Sequence, residues 1–433
     1  MTRRRLAVLG LLTLATAALL LGLWLRRGRR ASGPLPQEAY VWQRSWEPEV
    51  RSAVRQTQDL AGLVALAAEV DLSVRPPRVT QVAIDAASLR STGKPLGLAI
   101  RIGRFASKGP GKALSGDPEA VRFLAALAQR IARAARAQGL SLREIQLDYD
   151  CPESRLGEYP ALVQAVKEAV APLPVTITAL PAWLRQRRDF AVLTAAADGY
   201  VLQVHSLAAP KRFDAAFLLC DPDAARKAVE TAARFRRPFR VALPTYGYVV
   251  AFDRNGKILG LSAEGPLLSW PKSAVVRVAQ SDPAAMAGLL RTWTADRPAE
   301  LTGLLWYRLP IAPDRLNWPW PAFRAVMAGR APRPGLRADV HAPEPRLVEI
   351  DLVSTGEADA PWPSPVDIHW TGAPLLAADG LAGYRLTREG ERQIRLRRAA
   401  SAWDRPLRPG ERRQVGWMRF AGEARVETAL PPS

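Results

Sequence analysis

Short runs of apolar residues recur along the chain between residues 38 and 335, separated by segments of helical periodicity. Each run is continuous rather than alternating, which is typical of parallel strands that helices cover on both faces. We predict eight strands, at residues 40–46, 63–70, 96–103, 144–149, 174–180, 199–205, 238–244 and 302–309.

The intervening segments carry the signals that begin and end helices. In the clearest, 117–138, Asp117 is suited to cap the N-terminus, Pro118 takes the first helical position and Gly139 follows the end. Strand and helix alternate in a pattern that predicts an α/β fold, a (β/α)₈ TIM-like barrel over residues 38–335. The other predicted helices are 157–171, 182–197, 221–235 and 282–296.

A doubly wound open sheet is the alternative fold with the same alternation. It commonly carries a glycine-rich phosphate-binding loop at the start of a helix, and none of the predicted helices begins with one. The segment Gly109–Gly116 lacks the spacing of a P-loop. The barrel is therefore the favoured fold.

Two features depart from the barrel pattern. Residues 246–262 predict a hairpin insertion that turns at Asn255 and Gly256 and projects from the seventh strand. Beyond Pro332 the chain alternates between apolar and polar residues, which predicts a small antiparallel β domain over 340–433.

The N-terminus holds twenty uncharged residues, Leu6–Leu25, between two groups of arginines. Twenty apolar residues match the thickness of a bilayer core, and no small-residue cleavage site closes the run. We predict an uncleaved signal anchor within residues 1–30, followed by a linker at 31–37. A single-pass inner-membrane protein with periplasmic soluble domains is expected. A cytoplasmic domain tethered by its N-terminus is the alternative.

Composition narrows the function further. The net charge is +20, but outside the N-terminus the arginines are scattered among acidic residues, with no basic stripe of the kind that binds nucleic acid. The chain has two cysteines, Cys151 and Cys220, which are too few for a disulfide scaffold, although a single disulfide between them is an open alternative. With only three histidines, no metal site or cofactor is expected.

Barrel enzymes carry their sites at the carboxyl ends of the strands, where this chain places polar and aromatic residues. A purely structural role is the alternative to substrate binding. The aromatic rings could fill the barrel, His205 could be structural rather than a proton carrier, and Glu69 could pair with Arg101. Arg308 could bind a substrate carboxylate or balance Asp148 and Asp150. The candidate substrate-binding residues are Trp42, Glu69, Arg101, Gln203, His205, Tyr246, Trp306, Tyr307 and Arg308.

The fourth strand carries the candidate catalytic residues. Side chains alternate across a strand, so Asp148 and Asp150 share one face. Two neighbouring carboxylates repel each other, which raises the pKa of one and suits acid–base work on glycosidic bonds. The alternative is structural, with one aspartate capping the next turn and the other paired with Arg101.

Four segments carry a resemblance to a known family: YVWQR at the first strand, IQLDYDCP at the fourth, TITALPAWL at the fifth and LLWYRLP at the eighth. Together they resemble the bacterial domain-of-unknown-function family 3142. The resemblance covers most of residues 38–330 and implies a barrel of the glycoside-hydrolase superfamily, with no activity to carry over.

The fourth strand also resembles the D-x-x-D-x-D-x-E motif of chitinase-type hydrolases. Asp148 and Asp150 fit its last two aspartates, but Pro152 stands where the acidic glutamate belongs and Glu153 lies one position late. This departure argues against a retaining, substrate-assisted mechanism. It leaves Asp150 and Glu153 as the local acids.

We therefore expect a glycoside-hydrolase-like protein that acts on a cell-envelope polysaccharide, with Asp150 as general acid and Asp148 supporting it. The alternative is a non-catalytic protein that binds glycan or scaffolds an envelope assembly. A second carboxylate facing Asp150, either Glu69 or Glu153, would favour hydrolysis. Arginines that neutralise every acid would favour binding.

Overall fold

Eight parallel strands close into a barrel in the computed structural model, which describes residues 29–105, 117–205, 213, 217–263, 270–271, 273–398 and 405–431. Each strand pairs with its successor in the chain, and the eighth pairs with the first. The predicted TIM-like barrel is confirmed. Its strands are β1 (Gln37–Val41), β2 (Gly62–Leu72), β3 (Leu96–Phe105), β4 (Leu142–Tyr149), β5 (Val175–Ala179), β6 (Gly199–Gln203), β7 (Phe239–Pro244) and β8 (Leu301–Tyr307).

Several of the described helices begin after an aspartate whose side chain accepts hydrogen bonds from the first amide groups of the helix. The Asp117 side chain accepts from the Ala120 amide, and the Asp221 side chain accepts from the amides of Asp223 and Ala224. Short 3₁₀ turns, Glu153–Glu158 and Pro181–Arg185, precede two of the helices. The described helices are Pro48–Arg55, Ala86–Arg90, Pro118–Ala137, Tyr159–Val170, Arg187–Ala196, Pro222–Ala233, Pro283–Ala295 and Trp320–Met327.

The first strand lies earlier in the chain than predicted. The pattern placed it at 40–46, after the charged Glu38, whereas β1 begins at Gln37 and includes that glutamate. Glu38 is buried inside the barrel, where Arg143 and Arg240 bind its carboxylate. A charge that has partners on other strands does not end a strand, and local apolarity cannot reveal this.

The same ion pairs form a charged layer inside the barrel, at the end where the strands begin. Arg240 of β7 donates to both oxygens of Glu144 at 2.7 and 2.8 Å, and Arg143 donates to Glu144 at 2.8 Å. A glycine on β3 leaves room for it, because a Cβ on Gly97 would lie only 3.0 Å from the Glu144 carboxylate.

An antiparallel three-stranded sheet follows β7. Its central strand, Gly247–Phe252, pairs with Ile258–Ser262 through a turn in which Gly256 has a φ of +78°. On its other edge it pairs with Val275–Gln280, a third strand that the sequence pattern did not predict. Tyr248, Val250 and Phe252 pack on one face in a cluster that includes Tyr246.

The C-terminal part forms two antiparallel four-stranded sheets, so the predicted β-rich domain is confirmed as a fold. A shared core of buried residues, including Ile350, Ile368, Leu396 and Phe420, joins the two sheets. One sheet has the strand order Leu336–Glu344, Leu347–Ser354, Arg412–Phe420 and Leu375–Gly380. The other has the order Tyr384–Gly390, Gln393–Arg398, Val366–Gly372 and Ala424–Ala429.

The chain divides into two compact units. One comprises residues 1–281 and 289–316, and the other comprises residues 282–288 and 317–433. Within the described part of the chain, no helix combines the length and the apolarity needed to cross a membrane. The predicted span, Leu6–Leu25, lies outside the described residues.

The charged layer makes the barrel's stability sensitive to Glu144. Burial by itself would raise the pKa of Glu144, but Arg240 and Arg143 outweigh it and hold the pKa below its usual range. Glu144→Gln leaves buried guanidinium charge without its partner, and we expect it to lower the free energy of unfolding by about 3–5 kcal/mol at pH 7. Urea denaturation of the barrel measures this loss.

A depressed pKa in the folded state contributes stability above the unfolded pKa, and this contribution is lost as the pH falls through the folded value. The difference in free energy of unfolding between wild type and Glu144→Gln should therefore become smaller at acidic pH. Asp223→Asn, which removes an exposed ion pair with Arg226, is the matched control and should cost less than about 1 kcal/mol. Equal losses in the two variants would contradict a stabilising role for the layer.

Candidate functional site

The carboxyl ends of β1–β8, with the loops that follow them, form the end of the barrel that we call the mouth. Asp148 lies here at the end of β4 and is buried. Its carboxylate accepts hydrogen bonds from Arg101 of β3 and Thr178 of β5, each at 2.8 Å. Burial, with a smaller contribution from Asp150, raises the pKa of Asp148 above its ordinary value, although Arg101 and Thr178 act in the opposite direction.

The predicted alternation along β4 is present. Gln146, two residues before Asp148, accepts a hydrogen bond from the hydroxyl of Tyr40 on β1 inside the barrel. Tyr149 faces the other way and packs edge-to-face on Tyr159, with ring centroids 5.3 Å apart. The strand therefore presents its acids to the barrel interior and its aromatic ring to the surrounding helices.

Asp150 and Glu153 lie nearer the solvent. Asp150, with 57% of its side chain exposed, has its carboxylate 3.6 Å from the Arg101 guanidinium. Glu153 opens the 3₁₀ turn after β4 and pairs with Arg185 at 3.1 Å.

Glu69, on β2, is held by Arg44 through two hydrogen bonds of 2.7 and 2.9 Å, not by Arg101 as the structural alternative proposed. Each of the four carboxylates predicted at the mouth, Glu69, Asp148, Asp150 and Glu153, therefore has an arginine partner. Arg101 serves two of them.

Arg308 does not balance Asp148 and Asp150, and that interpretation is wrong. Its buried guanidinium pairs with Asp314 and donates to the carbonyl of Ala263 at 3.0 Å. Both partners lie in loops, whose course a strand-based pattern does not predict.

Aromatic rings line the mouth around Tyr307, the last residue of β8. Its ring centroid lies 5.3–5.6 Å from those of Tyr40, Trp42, His205 and Tyr246. These four neighbours are buried, whereas Tyr307 is partly exposed. The neighbouring rings hold Tyr307 in one position and leave part of it accessible.

Trp306 does not share this environment. It is fully buried, and its indole nitrogen donates to the side chain of Gln37 at 3.0 Å. Because side chains alternate along a strand, Trp306 and Tyr307 point to opposite faces of β8. The structure therefore removes Trp306 from the candidate binding residues, and the alternation rule could have separated the pair.

His205 follows β6 and is buried against Tyr307 and Tyr246. Burial lowers the pKa of His205 to about 3, so the imidazole is neutral at neutral pH. It is thus unsuited to carry a proton there, and the structural alternative is favoured. Gln203 is half-buried, and its amide donates to the backbone carbonyl of His205 at 3.3 Å.

Sequence reasoning missed several partners of the candidate residues, among them Tyr40, Thr178 and Arg185. The signal for Thr178 was available, because Thr176 and Thr178 alternate on the strand next to Asp148. Arg185 comes from a loop with no periodic signal.

Cys151 and Cys220 are buried free thiols rather than a disulfide, and burial raises the pKa of each to about 12. Within the described ranges, no group of three or more His, Cys, Asp or Glu side chains is arranged to hold a metal ion.

Comparison with solved structures finds chains of similar fold. The spore cortex-lytic enzyme SleL of Bacillus megaterium QM B1551 is 12% identical, with a TM-score of 0.49 over 70% of this chain and 75% of that chain. A chitinase of Chromobacterium violaceum ATCC 12472 is 14% identical, with a TM-score of 0.47 over 68% and 98%. The xylanase and alpha-amylase inhibitor protein XAIP-II of Scadoxus multiflorus is 11% identical, with a TM-score of 0.41 over 69% and 100%.

Comparison with curated proteins finds no match. Two families match parts of the sequence, and both are described as domains of unknown function. Residues 338–421, within the C-terminal sheets, match DUF8456. Residues 109–312, from shortly after β3 to just beyond β8, match DUF3142. This match confirms the resemblance predicted from the sequence for that part of the barrel, whereas the segment YVWQR of the first strand lies outside it.

Proposed function

We propose that the barrel mouth binds a polysaccharide of the cell envelope, and that binding rather than hydrolysis is its principal activity. The observation that carries this proposal is the pairing of all four predicted mouth carboxylates with arginines beside a partly exposed tyrosine. Such a site offers hydrogen-bonding groups and a ring face, and each of its four predicted carboxylates has a guanidinium beside it.

Tyr307 supplies the apolar surface. The face of a sugar ring presents C–H groups that pack on aromatic rings, and rigid aromatic side chains lose little entropy when they bind. Tyr307 is fixed from several sides by its aromatic neighbours. It is therefore ordered before a ligand arrives.

The ion pairs supply the polar surface. Arg101 and Arg44 have 42% and 50% of their side chains exposed, so each can donate further hydrogen bonds to hydroxyl groups. The Asp150 carboxylate beside Arg101 is an exposed acceptor. Donors and acceptors close together match the vicinal hydroxyls of a sugar.

Hydrolysis would need a carboxyl that can donate its proton to the leaving oxygen. Asp150 lies against Arg101 and Glu153 against Arg185, while Pro152 occupies the place of the motif's acid. None of these positions offers a carboxyl without a guanidinium at its side. Arginines that neutralise every acid were the feature expected to favour binding, and the four predicted mouth carboxylates have that feature.

Hydrolysis is the second candidate, because of Asp148. Perturbed pKa values cluster at functional sites, and Asp148 is a buried carboxyl with a raised pKa. In this reading Asp148 stabilises positive charge that develops on the sugar, and Asp150 acts as the acid.

The proposed location is the periplasmic side of the inner membrane. This rests on the apolar segment Leu6–Leu25, because a single N-terminal span ahead of a large domain most often exports that domain. A polysaccharide of the envelope is the carbohydrate found there.

Removing the Tyr307 ring should weaken binding. The ligand is first identified by screening the full chain against envelope polysaccharides and chitooligosaccharides, and Kd is then measured by calorimetry. Tyr307→Ala should raise Kd about tenfold, or about 1.4 kcal/mol, because the stacking surface is lost. Tyr307→Phe keeps the ring and should bind within about threefold of wild type. Equal Kd values for wild type and Tyr307→Ala would contradict binding at the mouth.

Asp150→Asn separates the two candidate functions. If the mouth only binds, wild type releases no reducing ends from the ligand, and the nearly isosteric variant retains most of the affinity. If the mouth hydrolyses, wild type releases reducing ends and the variant should lose on the order of 10²–10⁴ in rate. Turnover by wild type together with that loss would replace the binding proposal with hydrolysis.

The charge of Asp148 should carry a cost in stability. Its pKa is raised in the folded state, so the folded chain holds this proton more tightly, and stability falls as the pH rises from the unfolded value through the folded one. Asp148→Asn removes this dependence and should raise Tm at pH 8 by about 1–3 °C, with a smaller gain at pH 4. Asp150→Asn, at an exposed position, is the control. A lower Tm for Asp148→Asn at pH 8 would show that the pair with Arg101 is there for stability.

A further inference from the structure

The N-terminal segment of the described chain is attached to the end of the barrel opposite the mouth, which we call the closed end. The strand Arg30–Ala31 pairs antiparallel with Arg297–Pro298, immediately before β8 begins at Leu301. Because β8 runs from the closed end to the mouth, this pairing places the chain entry at the closed end.

Several further contacts hold the entry segment. The amide of Ala299 donates to the carbonyl of Arg29, and the amide of Gly33 donates to that of Thr294, each at 2.8 Å. Arg297 also donates to the carbonyl of Gly33 at 2.7 Å. The segment from Arg29 to Gly33 is thus part of the barrel rather than a free linker.

The side chain of Arg30 adds two ion pairs. Its guanidinium donates to both oxygens of Asp296, at 2.7 and 2.8 Å, and to Glu230 at 2.8 Å. These partners belong to a loop before β8 and to the helix Pro222–Ala233, so Arg30 is anchored to two elements. Such bidentate pairs fix orientation as well as position.

This attachment limits the distance from the barrel to any membrane span at Leu6–Leu25. Only residues 26–28 lie between Leu25 and Arg29. Even fully extended, that stretch covers at most about 14 Å from Cα to Cα. A chain that crosses the bilayer at this segment must therefore hold the closed end within about that distance of the headgroups.

The charge at the closed end suits such a position. The loops that lead from each helix into the next barrel strand, together with residues 29–36, contain seven Arg or Lys and four Asp or Glu. The loop before β7 contributes Arg234, Arg236 and Arg237, all exposed. Each Arg or Lys near an anionic membrane surface contributes about 1 kcal/mol of attraction.

We propose that the barrel stands on the membrane by its closed end, with the loop 234–238 against anionic lipid headgroups and the mouth directed away from the bilayer. The mouth then faces the aqueous space and suits a polymer that reaches it from there. This orientation does not depend on what the mouth binds.

The test uses the full chain, reconstituted into vesicles of phosphatidylcholine with phosphatidylglycerol. A fluorophore is attached at Gln138→Cys, at the closed end, or at Ser45→Cys, in the exposed loop after β1 at the mouth. The natural cysteines are buried with pKa values of about 12, so they do not compete for the label. Lipids that carry a quencher on the headgroup then report how near each label lies to the bilayer.

We expect quenching at position 138 to exceed that at position 45 by roughly twofold or more, because β-strands of five to eleven residues separate the two ends. The charge-reducing pair Arg236→Gln and Arg237→Gln should weaken quenching at 138, and vesicles without phosphatidylglycerol should do the same. Arg187→Gln and Arg188→Gln, an equal change of charge at the start of the helix after β5, is the matched control and should leave the signal unchanged.

Equal quenching at the two positions, or stronger quenching at 45, would overturn the proposed orientation. So would recovery of the chain in the soluble fraction, which would show that no membrane holds it. An identical loss of quenching in both charge variants would overturn the assigned contact surface. Glycan affinity, measured separately, distinguishes these outcomes from failure of the binding proposal.

Discussion

A charged side chain buried inside a closed barrel needs an oppositely charged partner inside the same barrel. The described structure of residues 29–316 depends on this constraint. Glu38 and Glu144 are buried, and the guanidinium groups of Arg143 and Arg240 hold both carboxylates. Removing ions from water costs several kcal/mol each unless they are paired with good geometry. The four side chains come from three strands, so strand register and charge pairing must be satisfied together.

The same constraint operates at the mouth with a different outcome. Arg101 and Thr178 bind Asp148, yet burial outweighs them and the pKa of this carboxyl is raised. At Glu144 the balance is reversed, because two arginines act on it and the pKa is lowered. The surroundings of Glu144 therefore favour its ionised form, whereas burial opposes the ionised form of Asp148, and perturbations of the second kind are common at functional sites.

The mouth combines this buried carboxyl with ordered aromatic surface. Tyr307 lies among Tyr40, Trp42, His205 and Tyr246, and the neutral His205 adds a flat ring without a charge. An ordered ring face beside fixed polar groups is typical of sites that bind small organic ligands. Pro152 stands where the chitinase-type motif has its acidic glutamate.

The sequence by itself determined the barrel, because eight apolar runs alternating with capped helices have few other ways to bury their surfaces. It also placed Asp148 and Asp150 on one face, since side chains alternate along any strand. The choice of partners was decided only by the tertiary structure. Arg308 binds Asp314, Arg44 binds Glu69, and the first strand includes Glu38, because each of these contacts joins residues whose proximity depends on strand closure and loop course. Periodicity records which way a side chain faces, whereas the charge it meets there is set by another part of the chain.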